Sequence, residues 1–251
     1  MSVTRDRLLA ALDDLLQPAK FRDYCPNGLQ VEGRYEIRRL VSGVTACQAL
    51  LDAAVDWQAD AILVHHGYFW RGEADPLVGM KARRIRTLLT NDISLFAYHL
   101  PLDCHPTLGN NAGLGRALGV ETFASLDPTD DTLPVFVGEL PESIAQSQIA
   151  SQLEAALGRS VVSVAERPVR RIAWCTGGGQ SYIEDAADAG ADLFVSGEIS
   201  EQTVHVARER GIGFIAAGHH ATERFGAREV GTWASREFAL EHQFIDIDSP
   251  A

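Results

Sequence analysis

The sequence predicts an α/β protein made of two similar α/β lobes in three layers, and two observations support this fold class. Short apolar runs such as Ala61–Val64 alternate with amphipathic segments of helical length, which is the pattern of βαβ units. The same unit also recurs: when Arg38 is aligned with Arg170, apolar and polar positions stay in register for about thirty residues without a gap, which indicates an internal duplication. Identities fall at Arg38/Arg170, Arg39/Arg171, Gln48/Gln180, Ala54/Ala186, Asp56/Asp188, Ala59/Ala191 and Asp60/Asp192.

The first half begins with a helix that Thr4 can cap and that should end before Pro18. The turn-forming Pro26-Asn27-Gly28 then precedes an extended stretch, so Asn27 is assigned to the turn, with a place at a functional site as the alternative. The periodicity further predicts, in chain order, a strand at Leu40–Val44, a helix at Gln48–Trp57, a strand at Ala61–Val64, a basic helix at Met80–Leu89 and a strand at Ile93–Tyr98.

The second lobe is expected to begin just after the acidic turn Asp127–Asp131, which gives domains at 1–131 and 132–251. These should form one two-lobed unit, and discontinuous packing of the chain remains open. The predicted elements are strands at Val135–Gly138, Val161–Val164 and Ile212–Ala217, helices at Glu142–Leu157 and Arg224–Gln243, and a closing strand at Phe244–Ile247.

The composition limits the functional classes. The chain has 251 residues and a formal net charge of −12, which argues against broad electrostatic binding of nucleic acid or of an anionic membrane surface. It contains no apolar run long enough to span a bilayer and no signal-peptide pattern at its start. Its four cysteines are widely spread, as expected for reduced thiols, so we expect a cytoplasmic protein.

His65 and His66 follow the apolar run directly and precede Gly67. Functional groups of open α/β sheets gather where strands end. Neighbouring strand residues point to opposite faces, so both histidines can serve one site only if the chain turns there or two metal ions lie between them. The pair is also compatible with two loop histidines that have no role.

Two further histidines follow strand ends in the same way, in the patterns His99-x-x-x-Asp103 and His219-x-x-x-Glu223. If the two lobes pack about a pseudo-two-fold axis, these groups and His65-His66 would converge on one cleft between the lobes. Taken singly, Asp103 is also explained as a turn residue, and Glu223 as a carboxylate in the first turn of a helix.

Imidazoles and carboxylates together suit zinc, iron, manganese or nickel, and two such ions can drive hydrolysis near neutral pH. The glycine run Gly177–Gly179 could cradle a phosphate at a helix start, but a tight turn without a ligand explains it equally well.

Five motifs of the sequence resemble those of one protein family, over nearly the whole chain. The family consists of hexameric, dinuclear-metal proteins named after a yeast Ngg-interacting factor and often called GTP cyclohydrolase I type 2. The motifs are Asn-Gly-Leu-Gln-Val at 27–31, Val-His-His-Gly at 64–67, His-Leu-Pro-Leu-Asp at 99–103, Ser-Gly-Glu at 196–198 and Gly-His-His-Ala-Thr-Glu at 218–223.

The resemblance implies a site and an assembly. The metal ligands would be His65, His66, Asp103, His219 and Glu223, holding two divalent ions per chain with Glu223 as the bridge. His99, Glu198 and His205 would stand behind the ligands or in the cleft wall. Six chains would form a toroid.

The resemblance also implies a hydrolase that opens the purine ring of GTP or acts on a related nucleotide-like small molecule. The alternatives are a metal-dependent phosphoesterase or amidohydrolase, and a non-catalytic metal-binding assembly with a protein or nucleic-acid partner, although the net charge does not support nucleic acid. The sequence singles out no general acid or base.

Overall fold

The computed structural model describes residues 1–251, which form a mixed α/β fold with three sheets. The strands, in chain order, are β1 (Val3–Thr4), β2 (Gly28–Val31), β3 (Glu36–Ile37), β4 (Arg39–Thr45), β5 (Ala61–His66), β6 (Ser94–Ala97), β7 (Phe123–Ser125), β8 (Phe136–Ala145), β9 (Val162–Val164), β10 (Pro168–Cys175), β11 (Leu193–Ser196), β12 (Gly213–Ala216) and β13 (Glu241–Phe244).

Ten α-helices connect the strands, and none of them is both long enough and apolar enough to cross a bilayer. They are α1 (Arg5–Leu16), α2 (Gln48–Asp56), α3 (Gly79–Thr90), α4 (Leu100–Cys104), α5 (Asn110–Ala117), α6 (Gln146–Leu157), α7 (Ile183–Asp188), α8 (Glu201–Arg210), α9 (His219–Thr222) and α10 (Arg224–Phe238).

The first of two compact units comprises Met1–Leu102 and Gly226–Asp248. Its five-stranded sheet has the order β13-β4-β5-β6-β2, with parallel pairing except at the antiparallel edge strand β2. Alternate residues such as Ile62 pack against α2 and α3, whereas their neighbours such as Leu63 are buried on the opposite face. Both faces of the sheet are therefore covered, as is usual for parallel strands.

The second unit comprises Asp103–Phe225 and Ser249–Ala251. Its six-stranded sheet has the order β7-β8-β10-β11-β12-β9. Trp174 of β10 packs in a core with Leu153 of α6, while its neighbour Ala173 belongs to a separate core with Ala207 of α8. Helices on both faces of one sheet make this unit a three-layer structure, as the sequence predicts.

The strand registers reproduce the repeat that the sequence indicates. Leu40 pairs with Ala61 in the first unit, and Ile172 pairs with Leu193 in the second, so the parallel pairing recurs at the same positions of the aligned repeats. The shared aspartate has a common role as well. Asp60 accepts backbone hydrogen bonds from the two residues that precede β4's apolar run, and Asp192 accepts the equivalent pair at the start of β10's run.

The last helix begins at Arg224 as predicted but ends earlier, and the closing strand both begins and ends earlier than the sequence predicts. Helix α10 stops at Phe238 rather than at Gln243, because Ala239 adopts a left-handed conformation with φ of 52°. The closing strand is then Glu241–Phe244, which adds to the sheet edge beside β4. This polar segment lacks the apolar run that would mark it as a strand.

Helix α6 begins at Gln146 rather than at Glu142, because β8 continues to Ala145 and its last two residues, Ile144 and Ala145, pair with β10. The division into units also differs from a boundary between residues 131 and 132. Asp103–Asp131 belongs to the second unit, whereas α10 beyond Phe225 and β13 return to the first, because β13 hydrogen-bonds to β4.

Candidate functional site

His65 and His66 both lie within β5, so the chain turns only at Gly67 and the strand is two residues longer than predicted. The ring centroids are nevertheless 4.4 Å apart, with 42° between the ring planes. His65 is fully buried, whereas His66 is half-buried. Two neighbouring imidazoles at the carboxyl end of a parallel strand are thus held side by side.

Hydrogen bonds to the Nδ1 atoms orient both rings. Nδ1 of His65 lies 3.2 Å from the backbone oxygen of Tyr98. Since a carbonyl oxygen only accepts, this nitrogen carries the proton, and Nε2 of the neutral ring keeps its lone pair. Nδ1 of His66 lies 3.2 Å from Oγ1 of Thr45. Ligating histidines are usually oriented through their second nitrogen in this way.

His99 completes a group of three imidazoles in the first unit. Its ring centroid lies 5.1 Å from that of His65 and 5.7 Å from that of His66. One ring nitrogen from each of the three residues lies within 4.8 Å of the others. The indole of Trp70 packs edge-on against His99, with centroids 5.0 Å apart.

Asp23 fixes the position of His99, a role for which the sequence offers no motif. Its Oδ1 lies 2.7 Å from Nδ1 of His99, and its Oδ2 accepts from the backbone nitrogen of Leu100 at 2.9 Å and from Nδ2 of Asn27 at 3.0 Å. Oδ1 of Asn27 in turn accepts from the backbone nitrogen of His99 at 2.7 Å. Asn27 is therefore more than a turn residue, because it ties the turn to the end of β6.

These contacts predict an acid-dependent loss of stability. Burial alone would raise the pKa of Asp23, but the hydrogen bonds from His99, Asn27 and the backbone lower it to about 2, from an ordinary value of 3.8. The carboxylate therefore stabilises the folded protein above about pH 4, and this contribution disappears as the pH falls toward 2.

We expect Asp23→Asn to lower the free energy of unfolding by about 2 kcal/mol at pH 6, with a smaller deficit as the pH falls below 4. Chemical denaturation at several pH values measures this. Asp14→Asn, on the exposed face of α1, is the matched control and should leave the curve unchanged. A deficit that is the same at pH 6 and pH 3 would contradict the assignment.

The Asn27–Val31 motif also supports the turn after His66. Oε1 of Gln30 accepts from the backbone nitrogen of Tyr68 at 2.7 Å, and its Nε2 donates to the backbone oxygen of Pro26 at 2.8 Å. A Cβ atom on Gly67 would collide with the Gln30 side chain and with Ala97. Glycine at this position lets the chain leave β5 while the histidines keep their place.

The second unit contributes two buried carboxylates, Asp103 at the end of α4 and Glu223 after α9. Oδ1 of Asp103 accepts from Nδ2 of Asn110 at 2.9 Å and from Oγ1 of Thr176 at 3.1 Å. Asn111 donates to the backbone oxygen of Asp103 at 3.3 Å. None of the ligand motifs includes these three polar residues, although two adjacent asparagines that open a helix are a signal of such a role.

His219 lies between two carboxylates of the same unit. Its Nδ1 is 2.7 Å from Oε1 of Glu198, and its Nε2 is 3.2 Å from Oε2 of Glu223. The hydrogen bond to Glu223 contributes most to raising the pKa of His219 to about 9, against the opposing effect of burial. A metal ion at Nε2 would displace this proton, because ligating histidines are neutral. Glu198 orients the imidazole of His219 through this hydrogen bond, which is the position behind the ligands that the family resemblance implies for it.

The glycine run lies directly against this group. A Cβ atom on Gly177 would collide with Oε1 of Glu223 and would lie 3.2 Å from Nε2 of His219. The backbone nitrogen of Gly177 donates to Oγ1 of Thr222 at 3.0 Å, and its oxygen accepts from the backbone nitrogen of Gly197 at 3.0 Å. Close packing beside a carboxylate thus accounts for glycine at position 177.

The predicted site residues therefore fall into two groups within separate units. His65 and His66 lie with His99 in the first unit, and Asp103, His219 and Glu223 lie in the second with Glu198 beside His219. His205 is exposed on α8, and its side chain belongs to neither group. The donors suit a divalent transition metal, because they combine imidazole nitrogens with buried carboxylates. The fixed tautomer of His65 presents the lone pair that such an ion requires.

The fold and these groups define a class of protein. It is an α/β protein of two units, with clustered histidines and carboxylates of the kind that could hold a metal ion. The chain belongs to the Duf34/NIF3 (NGG1p interacting factor 3) family, whose model matches residues 3–250.

The relatives match over all or nearly all of their length. A Pseudomonas aeruginosa protein named GTP cyclohydrolase 1 type 2 homolog is 56% identical over 252 residues, covering 100% of both chains. An Escherichia coli protein of the same name is 50% identical, covering 96% of both chains.

Among solved structures, the structural-genomics protein ybgI, of unknown function, is 49% identical with a TM-score of 0.94 and covers 99% of this chain and 100% of its own. The protein TTHA1606 from Thermus thermophilus is 32% identical with a TM-score of 0.89, at the same coverage.

Proposed function

We propose that the protein is a dinuclear-metal-dependent hydrolase whose ligands are His65, His66, Asp103, His219 and Glu223. The observation that carries the proposal is the chemistry of these donors. The imidazole of His65 is held in one tautomer by a backbone carbonyl, and the buried carboxylate of Asp103 is oriented by Asn110 and Thr176. Buried, oriented donors of both kinds are the usual setting of a catalytic metal site.

Several residues of the chain have a defined part in this function. Two divalent ions of the zinc, iron, manganese or nickel type, when bound, would supply Lewis acidity and an activated water near neutral pH. Thr45 and the backbone of Tyr98 orient the two histidines of β5, and Glu198 orients His219. The indole of Trp70 packs beside the rings of His66 and His99, with centroids 5.9 and 5.0 Å away, and forms an apolar wall on that side of the histidines.

For the substrate, we propose a nucleotide-like molecule, with ring opening of the GTP purine as the first reaction to test. The support is the name of the relatives, which are called homologs of GTP cyclohydrolase 1 type 2. An electrophilic ring carbon is a suitable target for an activated water. The resemblance to the family further supports a homo-hexamer, and the four free cysteines support a cytoplasmic location, as parts of the same proposal.

The experiment is elemental analysis of protein purified without added metal, together with chromatography of GTP incubations. We expect about two metal ions per chain and consumption of GTP. His65→Ala and Glu223→Gln should each lose metal and activity. His205→Ala is the matched control, because this histidine is exposed and belongs to no group that could hold a metal, and it should keep both properties.

The other outcomes separate the site from the reaction. Two ions without loss of GTP would retain the metal site and reject GTP as the substrate, and release of phosphate from generic esters would then favour a phosphoesterase. Metal binding without turnover of any compound in a broad panel would favour a non-catalytic role. Protein that holds no metal and cannot be reloaded would overturn the whole proposal.

A further inference from the structure

The first unit contains an open cleft of about 570 Å³, a volume typical of small-molecule sites. Its wall is formed by the segment that follows α1 and by one residue of the loop after β5. The polar side chains of the wall are those of Arg22, Asp23, Asn27 and Arg71. Neither the proposed metal ligands nor the three-histidine group includes either of these arginines.

The two arginines give the cleft a positive wall in a chain whose net charge is −12. Neither forms a salt bridge. The guanidinium of Arg71 is held in place, because Nη2 donates to the backbone oxygen of Asp23 at 3.1 Å and the group lies 5.9 Å from the centroid of the Tyr24 ring. A guanidinium has five N–H donors, so most donors of Arg71 remain for a bound ligand.

The wall keeps a net positive charge, because the two guanidinium groups outnumber the one carboxylate, that of Asp23. The carboxylate of Asp23 already accepts hydrogen bonds from Tyr24, Asn27, His99 and Leu100. Burial raises the pKa of the Cys25 thiol to about 12, so the thiol stays neutral. Arginines with free donors beside a satisfied carboxylate favour a ligand that is itself an anion.

The position of the cleft connects it to the histidines. Asp23 lines the cleft and binds His99, whose ring contacts those of His65 and His66. We propose that this cleft binds the anionic group of a small molecule, a phosphate or a carboxylate, through Arg22 and Arg71. The remainder of that molecule would extend toward the histidines. The statement that this molecule is the substrate rests on the proposed function. The statement that the cleft binds an anion does not.

The test is calorimetric titration of the full-length protein as purified, with pyrophosphate in one series and succinate in another. The variant Arg22→Gln/Arg71→Gln is compared with Arg83→Gln/Arg86→Gln, which removes two charges of α3 outside the cleft. All proteins are brought to the same metal content, so that any direct contact of the anion with metal is common to them.

We expect the cleft variant to bind the preferred anion at least tenfold more weakly, while the control stays within about twofold of the unchanged protein, because charged hydrogen bonds are lost only in the cleft. The anion that shows this loss identifies the group as phosphate or carboxylate. Equal weakening in both variants, or binding of neither anion by the unchanged protein, would overturn the proposal. If no metal-dependent activity is found, the proposed function fails, but the result of this binding experiment still stands.

Discussion

Gly177→Ala is expected to lower the free energy of unfolding by about 3 kcal/mol and to reduce the metal content at least tenfold. A side chain at φ of 62° costs about 1 kcal/mol in backbone strain. The remainder arises because the new methyl group must displace the buried carboxylate of Glu223, which Gly177 touches and which pairs with His219. The substitution thus moves a proposed ligand without changing its chemistry. Chemical denaturation and elemental analysis measure the two effects.

Gly158→Ala is the matched control for this prediction. Gly158 ends α6 with φ of 70°, and a Cβ atom there would meet nothing within 4 Å. This substitution should therefore cost only the backbone strain of about 1 kcal/mol and leave the metal content unchanged. If both substitutions have the same effect on stability and on metal content, the contact between Gly177 and Glu223 does not position the carboxylate for metal binding.

The regular elements and the repeat were accessible from the sequence because they depend on local patterns. The run before His65 is buried on both faces of a parallel sheet, so all four of its residues are apolar, and this composition alone predicts a strand. The recurring aspartates, Asp60 and Asp192, are shared by the two repeats because each satisfies two backbone nitrogens beside a parallel strand.

The polar contacts behind the histidines and carboxylates were not accessible, because they join segments that are distant in the chain. Asp23 meets His99 across 76 residues, and Asp103 meets Thr176 across 73. Neither pair has a spacing that marks it as a unit. The predicted bounds of the closing strand β13 lie too far along the chain for a related reason. This strand is defined by its pairing with β4, about two hundred residues earlier in the chain, and not by its own polar sequence.

Asn111→Ala is expected to lower the free energy of unfolding by about 3 kcal/mol, since three backbone groups, two of them buried, would each lose a partner. The side chain of Asn111 is fully buried. Its Nδ2 donates to the backbone oxygens of Asp103 and Pro134, at 3.3 and 3.2 Å, and its Oδ1 accepts from the backbone nitrogen of Thr176 at 3.1 Å. One amide therefore connects the end of α4, the start of β8 and the glycine run.

Asn91→Ala provides the comparison, because this asparagine ends α3 at the surface and its Nδ2 bonds only within that helix, to Thr87 and Thr90. Its loss should cost about 1 kcal/mol, because water can replace the amide. Denaturation of both variants at matched metal content separates the two roles. Equal losses would show that the buried amide of Asn111 is replaced by water and that Asp103 keeps its place without it. The expected threefold difference would instead mean that the proposed ligand Asp103 depends on an asparagine that no ligand motif includes.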